Sequence, residues 1–184
     1  MKHSSSRHEK ISRTALLGIT AAAAPAVSFL EHALTAALPL PPGVKPGLSN
    51  VIVMFVCFSM GLPSALLIAA LKSGFIFLIS GASAGFISLF GGVFSVLSMH
   101  LCVKFFKNKL SYTGISVASA VMHNAGQLIA SSLIVGSALY LAYAPVLLIT
   151  GIIFGCVTGM ILHAVMPALL KITNIIFHNI DSED

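Results

Sequence analysis

The segment LPPGVKPGLSN, Leu40 to Asn50, holds three prolines, two glycines and one lysine, and apolar runs lie on both sides of it. Proline fixes φ and lacks a backbone donor, while glycine permits tight bends, so no helix continues through such a stretch. The run from Thr14 to Leu40 therefore ends as one helix, and a second begins near Gly47. That first run far exceeds the roughly 7 to 15 residues of a signal-peptide core. It is read as a retained membrane span.

Composition carries the same reading to the rest of the chain. Of 184 residues, 57% are hydrophobic and 8% charged, and the mean hydropathy is +1.01. Soluble domains carry about 25% charged residues, so this chain cannot build a water-facing shell. Apolar stretches follow one another to Ile176, which predicts an all-α integral membrane bundle. The net charge of +5 is then a matter of topology and not a nucleic-acid footprint. Lys2, Arg7, Lys10 and Arg13 precede the first span, Lys104, Lys107 and Lys109 follow another, and Lys171 follows the last.

Breakers and flanks together predict about six transmembrane helices, over 14–38, 47–60, 63–79, 82–107, 111–139 and 143–174. An even number of crossings places every basic cluster on one side, as basic flanks on the cytoplasmic side require. The expected organisation is a basic cytoplasmic segment over 1–13, a transmembrane domain over 14–176 and a cytoplasmic tail over 177–184. The expected location is the cytoplasmic membrane, multi-pass, with both termini inside. The helix from Gly47 to Met60 would be only about 21 Å long, short of the roughly 30 Å hydrocarbon core. It must be enclosed by protein or leave a recess at one end, and the segment before it would cap that recess on the outer face.

Small residues recur at four-residue spacing in three places: Gly18, Ala22 and Ala26; Gly81 and Gly85; and Gly151, Gly155 and Gly159. Such stripes let helices approach closely, either inside the bundle or, for the first, against a partner protein. Cys57, Cys102 and Cys156 lie inside apolar runs without ligand spacing and read as packing residues.

Polar groups inside spans are costly unless paired, so each is a functional candidate. Glu31 and His32 fall late in the first helix, Lys45 in the loop, Asn50 at the start of the second helix and Lys72 midway along the third. His123, Asn124 and Gln127 of HNAGQ share one helix face. Lys72 needs an anion, supplied by Glu31 or by a ligand's phosphate or carboxylate. The amides and imidazole either bond to neighbouring backbone or read a heterocycle or hydroxylated chain.

PPGVKPGLSN, HNAGQ, the lysine of ALKSG at Lys72 and FGGVFSVLSM together resemble the membrane proteins labelled heptaprenyl diphosphate synthase component I, also called the Gx transporter family. The likeness runs from about Ala36 to Gly159. That family in turn is similar to the six-helix substrate-binding (S) components of energy-coupling factor (ECF) vitamin transporters. The resemblance implies an outward pocket, ligand contacts from Lys45, Asn50, Lys72, His123, Asn124 and Gln127, and a helix 1 face that meets a coupling subunit. Some relatives are associated with flavin supply.

The synthase label meets a physical objection. Prenyl synthases hold diphosphate through magnesium on carboxylates, whereas this chain has five acidic residues, four of them at its ends: Glu9, Asp181, Glu183 and Asp184. No Walker motif provides for ATP either, and no cofactor or metal is called for. Two expectations follow. The first is a substrate-binding or transport subunit for an anionic or heterocyclic molecule, a flavin or related vitamin first, using Glu31 and the residues above. The alternative is a noncatalytic membrane component of a heptaprenyl diphosphate synthase, with a catalytic subunit or prenyl diphosphate as its partner.

Overall fold

The computed structural model describes residues 2–36, 47–106, 109–137 and 142–181. The chain runs as α1 (Lys2–Ala36), α2 (Leu48–Met60), α3 (Leu62–Ser80), α4 (Ala82–Phe106), α5 (Tyr112–Val135) and α6 (Ala144–Asp181). No strand occurs among the described residues. The predicted segment 1–13 is helical from Lys2, and α6 continues past 174 to Asp181. Neither 2–13 nor 175–181 contains a Gly or Pro, so nothing in the backbone stops either helix where its strongly apolar run ends.

Among the described residues, four helices have stretches long and apolar enough to cross a membrane: 11–35 of α1, α3, α4 and 144–171 of α6. Leu78 is 81% exposed, Phe105 72% and Leu133 65%, and many further leucines, isoleucines and phenylalanines face outward with them. A continuous apolar exterior of this kind faces lipid. The molecule is a helical membrane bundle.

The two remaining helices fall short for different reasons. The 13 residues of α2 are too few, and it is buried from Ser49 to Cys57 except at Ile52. Val53, Met54 and Val56 form the centre of the core with Ile68 of α3, Val96 and Met99 of α4 and Leu162 of α6. In α5 the span is interrupted by Ser116, Ser119, His123, Asn124 and Gln127. Single glycines make the turns between α2 and α3 and between α3 and α4: Gly61 has φ 85° and Gly81 φ 89°, values that side chains disfavour.

On α4, α5 and α6 the helices touch through glycine. A Cβ on Gly155 would lie 2.7 Å from the Val117 Cα, and one on Gly159 2.5 Å from the Thr113 Cα. One on Gly126 would lie 2.8 Å from the Phe90 carbonyl oxygen. The α6 stripe is therefore internal packing, and so is Gly85, which abuts Phe77. The α1 stripe is different. Ser12, Leu16, Thr20, Ala24, Ser28 and Glu31 face the bundle, which leaves Gly18, Ala22 and Ala26 exposed on the opposite side. A Cβ on Gly18 would meet nothing within 4 Å.

Candidate functional site

The site begins at the amino end of α2. A helix start leaves backbone N–H groups without partners, and the residue at the N-cap of α2, Gly47, has no side chain to cap them. Glu31 of α1 fills that role from across the bundle. One oxygen of its carboxylate accepts from the backbone N–H groups of Gly47 and, at 3.2 Å, Leu48. Its other oxygen accepts from the Ser49 N–H at 3.4 Å and from the Ser49 hydroxyl at 3.0 Å. A carboxylate at a helix N-terminus also meets the favourable end of the macrodipole.

Lys72 completes the network from α3. Its ammonium donates to the Ser49 hydroxyl and to the Asn50 Oδ1, both at 2.9 Å. The Ser49 hydroxyl thus stands between the amine and the carboxylate, receiving from one and donating to the other. Glu31 is 3% exposed, Lys72 6% and Asn50 9%, so all three are withdrawn from solvent and lipid alike. In that setting the alternative to these bonds is a bare buried charge, which costs several kcal/mol.

These groups wall a cavity of about 40 Å³ to which all six helices contribute. Across from Lys72 stand His123, Asn124 and Gln127 of α5, with Gly151, Phe154 and Thr158 of α6 beside them. Of the residues expected at a site, the structure brings together Glu31, Asn50, Lys72, His123, Asn124 and Gln127. Lys45 lies outside the described residues, as does the proposed lid over 39–46. His32 points outward. The Asn124 side-chain nitrogen donates to the Leu147 carbonyl at 2.7 Å, so this amide ties α5 to α6 as well as lining the cavity.

Sequence reasoning missed the hydroxyls. Ser28, Ser49, Ser88, Ser116 and Ser119 all line the cavity, and Ser119 also bonds Ser95 at 3.1 Å. The signal was present on α5, where 116, 119, 123 and 127 continue one face at helical spacing. The volume decides what fits. About 40 Å³ admits two or three waters, whereas a drug-sized ligand is enclosed by roughly 300–1,000 Å³. As the helices stand, a flavin is not enclosed here.

A lipid-facing helical bundle with a polar cavity among its helices is the class of protein that fold and site define. Within that class, a family model described as heptaprenyl diphosphate synthase component I matches residues 20–165, and the chain belongs to that family. The matched range contains every cavity residue named above. Comparison with curated proteins and with solved structures finds no match.

Proposed function

We propose that this chain is a noncatalytic membrane component of a prenyl diphosphate synthase, working beside a separate catalytic subunit. Membership of the component I family carries the reading. The acid–base content of the chain agrees with it. Diphosphate chemistry on magnesium needs several carboxylates, and the one carboxylate in the spans, Glu31, is engaged with the start of α2. In this reading both termini are cytoplasmic, where a soluble synthase would meet them. The test is co-expression with the catalytic subunit of the same cell. A stable complex, and loss of long-chain product when this chain is deleted, are expected; unchanged product length and no complex would overturn the proposal.

A second reading is favoured by the polar cavity itself: a binding subunit for a small anionic or heterocyclic molecule, coupled to a transport partner. Lys72, Gln127 and the cavity hydroxyls supply the donors. Titrating the reconstituted chain with flavins and thiamine separates the two readings, because saturable binding lost on Lys72→Ala supports only the second.

A further inference from the structure

A cavity of about 40 Å³ admits water and little else, so a larger occupant needs a wall that can withdraw. Five of the six walls are fixed by packing. α4, α5 and α6 are locked through Gly126, Gly155 and Gly159. α3 is locked to α4, since a Cβ on Gly85 would sit 2.5 Å from the Phe77 Cβ and one on Gly92 3.2 Å from the Ala69 Cβ. α2 is the centre of the core. The remaining wall is α1, and its two parts are held differently. Leu16 is buried in the core, with Leu17 and Ala21 packed against it. From Pro25 to Thr35 the only buried residues are Ser28 and Glu31. No large apolar side chain is buried there: Leu30 and Leu34 are exposed, and Phe29, 54% exposed, meets Phe75 of α3 edge-on with ring centroids 6.5 Å apart. Pro25 stands between the two parts, inside the helix. It has no N–H for the Ala21 carbonyl and its ring crowds that turn, so α1 bends more easily there than elsewhere.

We propose that residues 26–36 of α1 form a hinged door to the polar cavity, turning at Pro25 and latched by Glu31 on the start of α2. The latch consists of the bonds that the Glu31 carboxylate accepts from the Gly47, Leu48 and Ser49 N–H groups and from the Ser49 hydroxyl. Water, or the oxygens of an entering molecule, can take over the same donors, so opening breaks hydrogen bonds that are replaced and uncovers no large apolar core residue. Ser28 and Glu31 are also the two residues by which α1 lines the cavity, so withdrawing this stretch removes the α1 wall as a whole. The inference concerns access to the cavity and goes beyond both functional readings, since neither says which wall moves.

The test uses the full chain in lipid nanodiscs, with Cys102 and Cys156 replaced by alanine and the buried Cys57 left in place. Spin labels on Leu34→Cys and Leu133→Cys measure the door against α5, and labels on Ile19→Cys and Leu101→Cys measure the rest of α1 against α4; all four positions are exposed. Leu34 lies about 14 Å along the helix beyond Pro25, so a turn of about 20° moves it by about 5 Å. Glu31→Ala should widen the spread of Leu34–Leu133 distances by at least that much and leave Ile19–Leu101 unchanged. Adding Pro25→Ala, which restores a donor for the Ala21 carbonyl, should narrow the spread again. Ser119→Cys, on the cavity wall and 2% exposed, should react with a membrane-impermeant thiol reagent at least about tenfold faster once Glu31→Ala is added. Any one of four results overturns the door: Leu34–Leu133 distances equal in Glu31→Ala and its parent, Ile19–Leu101 distances that move as far, a spread that Pro25→Ala leaves as wide, or equal thiol rates.

Discussion

The two halves of the bundle are held together by different means. α4, α5 and α6 meet backbone to backbone through Gly126, Gly155 and Gly159. α1, α2 and α3 are instead stitched by side chains, Glu31 to the start of α2 and Lys72 to Ser49 and Asn50. The cavity lies where the two meet. The difference teaches where adjustment is cheap. Glycine contacts cannot give without moving whole helices, whereas a hydrogen-bonded network can exchange partners with a ligand's oxygens at little change in backbone.

The largest break should come in the rigid half. Gly159→Leu forces a side chain into the Thr113 backbone, so a loss of about 3 kcal/mol or failure to accumulate folded protein is expected. Thermal unfolding in detergent checks it. In the stitched half, Glu31→Ala strands the N–H groups of Gly47 and Leu48 and the Ser49 hydroxyl, at about 2 kcal/mol. Glu31→Gln should recover part of this, because its remaining carbonyl oxygen still accepts. Equal unfolding temperatures for Glu31→Ala and the parent chain would show that the cap does not hold the half together.

Asn124→Ala sharpens the contrast at the junction. It removes one α5–α6 hydrogen bond and should cost about 1 kcal/mol, while Gln127→Ala, on the same cavity wall, should alter ligand binding with a smaller change in stability. The smallest effect on stability belongs to neither half. Gly18→Leu points into open space and should shift stability by less than about 0.5 kcal/mol. Co-purification with the membrane-embedded partner of the second reading should nevertheless fall, and an unchanged yield of complex would show that this face is only lipid-exposed.

The same four-residue spacing of small residues appears in Gly18, Ala22 and Ala26 and in Gly151, Gly155 and Gly159, yet the first set faces out and the second faces in. Spacing reports that a helix has a smooth face and says nothing of where the face points. The polar residues divide similarly. Lys72, Asn50 and the HNAGQ group stood out because charge and amides are rare in spans, and all of them reach the cavity. The serines did not stand out, since a hydroxyl in a membrane helix can satisfy itself on its own backbone, as Ser59 does on Phe55.

By itself, the sequence determined the membrane setting, the six helices and the charged and amide residues that line the cavity, because hydropathy, breakers and rare charges are local properties of the chain. The tertiary structure alone decided that Glu31 caps α2, that Ser49 joins it to Lys72, and that Ser73 of α3 meets Ser88 of α4. Those are contacts between residues 15 to 23 positions apart. Their existence depends on how the helices are rotated and set against one another, which no local pattern records.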